Sequence, residues 1–93
     1  MDLSKIINYE SSVLILKALL ENKKEVCLRC SEMYFLTSNI SKQINILRNI
    51  DIDIKTEINT DEDFHYAKYI LVQDEENIKR TVLLLEKLEV KLS

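Results

Sequence analysis

The spacing of hydrophobic residues changes once along this chain, at about residue 50, and that change limits the folds open to it. Before this point, apolar residues recur every three or four positions, as they do on one face of an α-helix. Over residues 50–58, isoleucine and threonine alternate with charged residues, which is typical of a half-buried β-strand. Because 93 residues are too few for two separate cores, the pattern predicts one small α+β domain, mostly helical.

Three helices are predicted before the change in spacing. The first follows the N-cap candidates Ser11 and Ser12 and is apolar on most of its sides, so we expect it to be the most buried. The second covers about residues 26–36 and shows helical spacing of its apolar positions. A cap-rich turn at residues 37–39 then opens the third helix. Its apolar stripe consists of Ile40, Ile44 and Leu47.

A β-hairpin and a final helix are predicted after the change in spacing. The strands cover residues 50–58 and 64–72, with a polar turn at residues 59–63 between them. Asp74 and the two glutamates that follow it cap the start of the last helix. The order helix, helix, helix, strand, strand, helix is that of a winged helix-turn-helix domain. We expect a single domain over residues 1–93: a core in residues 1–72, a wing at about residues 50–72 and a C-terminal helix at residues 74–92.

The composition argues against an enzyme. Glycine and proline are both absent, which excludes the glycine-rich loops that cradle phosphates in nucleotide-binding enzymes. No nucleophile or carboxylate is spaced to act with His65, so we expect this histidine to pack or to face solvent. Cys27 and Cys30 are too few for a four-ligand zinc site and are expected to be small buried side chains one helical turn apart. We therefore predict no catalytic residue, no metal and no cofactor.

The chain shows no sign of membrane insertion or secretion. Its longest unbroken apolar run, residues 13–16, is far shorter than the roughly 20 residues that span a bilayer. Residues 1–5 lack the basic start and apolar stretch of a secretion signal. Two cysteines that serve as small buried side chains suit a reducing compartment. We therefore expect a cytoplasmic protein of a bacterial or archaeal cell that does not bind membranes.

Charge is distributed unevenly along the chain. The net charge is −3, but residues 17–48 contain six basic and three acidic residues, a net of +3. Residues 49–63 contain one basic and six acidic residues, a net of −5. Because nucleic acids are polyanions, a nucleic-acid-binding surface is expected in the earlier, basic segment.

Residues 36–57 contain a recognisable series of motifs. Thr37 and Ser38 open a helix, residues 44–48 read Ile-x-x-Leu-Arg, and the strand that follows ends Ile-x-Thr-Glu at residues 54–57. Residues 65–69 add an aromatic-rich return strand. With these motifs the chain resembles the small winged-helix proteins of phages and prophages over about residues 13–72. The resemblance implies the winged-helix fold, a double-stranded DNA partner and a role in regulating transcription.

The chain departs from that family at two positions. Asp51 stands where the family has a glycine after the third helix; aspartate tolerates the left-handed conformation better than most residues, so the turn is expected to survive. The wing tip, residues 60–63, contains three acidic residues where the family often has glycine and lysine. Because phosphate repels these acids, we do not expect this wing to grip DNA in the usual way.

The third helix, residues 38–49, is predicted to read the major groove of DNA. Asn45 and Gln43 suit the edge of adenine, and Lys42 suits guanine or a phosphate. The alternative is an ordinary solvated helix face. Lys23, Lys24 and Arg29 are expected either to contact the DNA backbone or simply to face solvent. The predicted DNA-binding residues are Lys23, Lys24, Arg29, Ser38, Asn39, Ser41, Lys42, Gln43, Asn45, Arg48 and Asn49.

The last helix is predicted to pair two subunits. Apolar residues occupy several of its sides, which one small domain has difficulty covering. A two-fold homodimer would present the third helix of each subunit to one half of a palindromic DNA site. The alternative is that this helix folds back over the first helix and the sheet. The predicted dimerisation residues are Ile78, Val82, Leu85, Leu88 and Leu92.

Two functions are therefore consistent with the sequence. The first is sequence-specific binding of double-stranded DNA by a small transcriptional regulator of a phage or mobile element. The alternative is a protein-binding inhibitor on the same fold, in which the acidic wing at residues 51–63 blocks a host nucleic-acid-binding protein by occupying its basic groove.

Overall fold

A computed structural model describes Ser4, Ile6 and residues 8–21, 26–27, 39–61 and 64–93. These residues form three helices and three strands, and the fold is α+β and mostly helical, as the spacing of apolar residues predicts. In chain order the elements are α1 (Tyr9–Glu21), β1 (Val26–Cys27), α2 (Ile40–Asn49), β2 (Ile54–Asp61), β3 (Phe64–Leu71) and α3 (Glu75–Leu92).

The strands form one antiparallel sheet in the order β1-β3-β2. The prediction of a two-stranded hairpin is therefore incomplete, because Val26 pairs with Tyr69 and adds a third strand to the sheet. The predicted second helix does not begin at Val26, and the rest of that prediction, residues 28–36, lies outside the described residues. Cys27 is buried on β1 and not on a helix as expected; Cys30 lies outside the described residues. The edge of β3 that does not face β2 supplies the backbone hydrogen-bonding partners of β1, and no local sequence pattern shows this pairing.

Helix α1 begins earlier than the sequence predicts. Its first turn is capped by Asn8, whose Oδ1 accepts a hydrogen bond from the backbone N–H of Ser11 at 3.0 Å. The predicted N-caps, Ser11 and Ser12, lie inside the helix and are buried. An asparagine amide caps a helix as well as a serine hydroxyl does, so residue type alone does not decide between these positions.

The turn after α2 confirms the prediction for Asp51. Asn39 caps the start of α2, its Oδ1 accepting the backbone N–H of Lys42 at 3.1 Å. At the other end, Asp51 has a φ of 70°, the left-handed conformation for which glycine is the usual residue. An aspartate therefore adopts the left-handed conformation at this turn, as expected from the sequence.

Strand β2 is displaced along the chain from its predicted position. Ile50 and Ile52 are buried, but they belong to the turn, and the strand begins at Ile54. Ile58, expected on the buried face, is 63% exposed. The alternation of apolar residues thus begins in a turn whose isoleucines are buried in the core. It continues into a strand whose far end lies beyond the core.

Helix α3 folds back against α1. Its start is capped as predicted, with the Asp74 carboxylate accepting the backbone N–H of Asn77 at 3.4 Å. Leu84 and Leu88 are fully buried and complete a core that all three helices and the sheet share. Within the described residues, no helix is both long enough and apolar enough to cross a membrane.

Candidate nucleic-acid interface

One face of α2 is polar and open to solvent. Lys42, Asn45 and Asn49 are spaced three and four residues apart, so they share one side of the helix, and all three are exposed. Ser41 is exposed beside them. The opposite side consists of Ile40, Ile44 and Leu47, each with no exposed surface. The sequence prediction of a buried stripe opposite a polar face is confirmed for these positions.

Gln43 lies on the other side of α2, which corrects its assignment to the DNA-reading face. Only 6% of it is exposed, and its Oε1 accepts a hydrogen bond from the Ser12 hydroxyl at 3.4 Å. The reason is partly angular: Gln43 is three residues after Ile40 and four before Leu47, so it lies at the edge of the apolar stripe. Spacing alone leaves such a position open, and the hydrogen bond from Ser12 on α1 holds the Gln43 side chain inward.

Arg48 connects α2 to the sheet. Its Nε donates to the carbonyl oxygen of Ile54 at 2.9 Å, and its Nη2 donates to the Thr56 hydroxyl at 2.9 Å. The guanidinium carbon lies 5.9 Å from the centre of the Tyr69 ring, within the range of a cation–π contact. Arg48 was predicted to contact DNA, and the structure shows that two of its donors bind the protein's own strand.

A second contact between α2 and the sheet lies two helical turns before Arg48, on the same face of the helix. The hydroxyl oxygens of Ser41 and Tyr69 are 2.9 Å apart, and either can donate the hydrogen bond. Together with Arg48, this bond ties α2 to both β2 and β3. The exposed side chains of α2 are therefore presented by a helix that is held at two points.

We expect Arg48→Ala to lower the free energy of unfolding by about 1–2 kcal/mol, because it removes two hydrogen bonds from a charged donor at a partly exposed site. Arg48→Lys is the matched variant: it keeps the charge but lacks the planar fork that reaches two acceptors at once. Urea denaturation followed by circular dichroism measures both. If Arg48→Lys is as stable as the unmodified protein, the positive charge alone, and not the planar fork of the guanidinium, holds the helix.

The remaining predicted DNA contacts are only partly described. Lys23, Lys24, Arg29 and Ser38 lie outside the described residues. Asn39 is exposed at the start of α2, where its side chain caps the helix.

The predicted dimerisation residues fall into three environments. Leu88 is fully buried in the core, so it is not available to a second subunit, which corrects its assignment. Ile78 and Leu85 are half-buried and pack against the core. Val82 and Leu92 are 39% and 44% exposed. Two further apolar residues of α3, Leu83 and Val90, are exposed and are not among the predicted dimerisation residues.

Comparison with known protein families, with curated protein sequences and with solved structures gave no match for this chain. Within the described part of the chain, no three His, Cys, Asp or Glu side chains are grouped so that they could hold a metal ion.

Proposed function

We propose that this chain is a sequence-specific double-stranded DNA-binding protein, of the kind that regulates transcription in phages and mobile elements, and that α2 enters the major groove. The observation that carries the proposal is the exposed face of Lys42, Asn45 and Asn49 on a helix whose other side is buried. A ten-residue helix is about 15 Å long, and the major groove is about 12 Å wide and accepts one helix.

The exposed side chains of α2 have separable roles in this proposal. The Asn45 amide can both donate and accept, which matches N6 and N7 of adenine and gives base specificity. Lys42 neutralises a phosphate or contacts guanine. Because Arg48 and Ser41 are bound to the sheet, they act by positioning the helix. Gln43 has no role at the interface.

The distribution of charge supports an approach through α2. Residues 39–49 contain two basic residues and no acid, whereas residues 51–61 contain four acids and one lysine. The described acids Asp51, Asp53 and Glu57 are exposed. Because phosphate repels them, the proposal has α2 facing the duplex and β2 directed away from it.

A titration of labelled duplex DNA over a series of salt concentrations, read by fluorescence anisotropy, tests this function. We expect Asn45→Ala to weaken binding to the preferred site about 5- to 150-fold and to leave binding to random duplex unchanged, because it removes one base contact. Lys42→Ala should weaken binding to the preferred site and to random duplex alike, and it should lower the slope of log K against log salt concentration by about one.

Lys87→Ala is the matched control for Lys42→Ala, because Lys87 is an exposed lysine on α3, away from the proposed interface. It should bind DNA like the unmodified protein. Failure of the folded protein to bind duplex DNA at low salt would contradict the proposed function, as would equal effects of the two lysine substitutions.

The two-fold arrangement on a palindromic site remains part of the proposal. One candidate contact between subunits is the outer side of α3, with Val82 and Leu92 exposed and Ile78 and Leu85 half-buried. Burial of Leu88 reduces the apolar area that this side offers.

A protein-binding role is the second candidate, and the exposed acids of β2 and the preceding turn favour it. In this alternative, the acidic wing at residues 51–63 occupies the basic groove of a host nucleic-acid-binding protein. The substitution Glu57→Lys separates the two functions: it should abolish capture of such a partner, whereas it should leave binding of DNA through α2 intact or strengthen it.

A further inference from the structure

Strand β2 is an outer strand of the sheet formed by the described residues, and its hydrogen-bonding pattern shows which backbone groups point outwards. The N–H of Val72 donates to the carbonyl oxygen of Asp53 at 3.1 Å, one residue beyond the Ile54–Leu71 pair, so residues 53 and 72 lie opposite each other at a hydrogen-bonding position of the ladder. Such pairs alternate along an antiparallel ladder with pairs whose backbone groups point away from each other. The N–H and C=O groups of Ile54, Thr56 and Ile58 therefore point away from β3.

Part of this outer edge is closed by the protein itself. The carbonyl oxygen of Ile54 accepts the Nε–H of Arg48, which confirms that it points outwards. In the described part of the chain, the backbone groups of Thr56 and Ile58 on this edge have no such partner. Residues 55–58 are all exposed, and the Ile58 side chain is 63% exposed. An open strand edge with an exposed β-branched residue is a template for a further strand.

We propose that the strand added at this edge is β2 of a second copy of the chain, antiparallel to the first and centred on Ile58. At the two-fold axis, each Ile58 N–H donates to the Ile58 carbonyl oxygen of the other copy. The two isoleucine side chains then lie directly opposite each other, where β-branched pairs stabilise a sheet. The result is one continuous antiparallel sheet across the dimer.

Charge and hydrogen bonding exclude the neighbouring registers. A symmetric pairing places one residue opposite itself, so a centre at Glu57 would oppose two carboxylates. A centre at Asn59 would place Glu57 opposite Asp61 twice. A centre at Thr56 would require the carbonyl of Ile54, which already accepts a hydrogen bond from Arg48.

The register centred on Ile58 instead brings opposite charges together. It places Lys55 of each copy opposite Asp61 of the other, twice by symmetry, and Glu57 opposite the uncharged Asn59. This charge matching arises when two identical strands pair, so it favours a second copy of this chain. Residues 55–61 show no corresponding match to an extended strand of a different protein.

Two short strands bury less than the roughly 1,200 Å² of a standard stable interface. We therefore expect a dimer that dissociates in the micromolar range or above, with a Kd weaker than about 1 μM. Sedimentation velocity on the intact protein, without DNA, from 10 μM to 1 mM should show the mass rising from monomer to dimer. Because no DNA is present, this measurement succeeds or fails independently of the proposed function.

The variants Ile58→Pro and Ile58→Thr test the backbone pairing. Proline at this position removes only an outward N–H, so the β2–β3 ladder keeps its bonds, but it deletes both central hydrogen bonds of the dimer. We expect at least a tenfold rise in Kd for Ile58→Pro. Threonine keeps the N–H and the β-branched shape, so Ile58→Thr should weaken the dimer less. Circular dichroism verifies that each variant is folded.

A charge exchange tests the register. Lys55→Asp and Asp61→Lys should each weaken the dimer, because each places like charges opposite each other twice. The double variant Lys55→Asp/Asp61→Lys restores opposite charges in this register and should recover most of the association. A protein that stays monomeric up to 1 mM would overturn the proposal. It would also be overturned if Val82→Glu on α3 dissociated the dimer and Ile58→Pro did not.

Discussion

Replacing Asn77 by alanine is expected to lower the free energy of unfolding by about 3–4 kcal/mol, a large part of the roughly 5–15 kcal/mol that stabilises a typical domain. Asn77 is fully buried near the start of α3. Its Oδ1 accepts the N–H of Asp53 at 2.8 Å, and its Nδ2 donates to the carbonyl oxygens of Asp53 and Val72 at 2.9 and 2.8 Å. One amide thus joins α3 to the chain on either side of the hairpin.

The size of the effect follows from what the alanine variant leaves behind. The alanine variant loses all three of these part-buried hydrogen bonds, each of which contributes about 1 kcal/mol. The shortened side chain also leaves a small cavity beneath the helix, which adds to the loss.

Two further variants define the cause. Asn77→Asp keeps an acceptor for the Asp53 N–H but loses the donor to both carbonyls, so a carboxylate oxygen would face them; it should be at least as destabilising as alanine. Lys79→Ala changes an exposed residue of the same helix and should alter stability by less than about 0.5 kcal/mol. Urea denaturation measures all three. A loss below 1 kcal/mol for Asn77→Ala would contradict this account of the hydrogen bonds.

Leu88→Ala is expected to cost about 3 kcal/mol of stability, because it removes a fully buried side chain from the core and leaves a cavity. Val82→Ala on the same helix should cost less than about 1 kcal/mol, since Val82 is 39% exposed. Thermal and urea unfolding compare the two variants at a concentration at which the unmodified protein is monomeric.

The same pair of variants separates packing within one chain from packing between chains. If Leu88 supports the core, its substitution should lower the stability of the monomer regardless of protein concentration. A Leu88→Ala protein with unchanged monomer stability but a weaker dimer would contradict the position of α3 against α1. It would restore the sequence prediction that assigns Leu88 to a dimer interface.

Local features of the fold could be predicted from the sequence. The buried stripe of α2 and the cap at Asp74 depend on residues three or four positions apart in the chain, and the left-handed turn at Asp51 depends on a residue type that tolerates this conformation. At that range, spacing and residue type specify the geometry, because the helix repeat and the cap hydrogen bonds involve no distant part of the chain. The α+β class follows from the same local patterns.

The candidate site could be predicted only in part. The exposed positions of Lys42, Asn45 and Asn49 follow from helical spacing. The roles of Gln43 and Arg48 do not, because a polar residue at the edge of a stripe is drawn inward or outward by partners on other elements. Ser12 on α1 binds Gln43, and the backbone of β2 binds Arg48.

The helical spacing of α2, the alternation of apolar residues after residue 50, the cap at Asp74 and the left-handed turn at Asp51 could be predicted, since each is specified by interactions within one or two turns of chain. Packing between distant parts of the chain instead places Val26 in the sheet, buries Leu88 in the core and leaves Ile58 exposed on the end of β2 that extends past the core. These outcomes depend on backbone partners and apolar surfaces supplied by residues far away in the chain, and such contacts leave no spacing pattern in the local sequence.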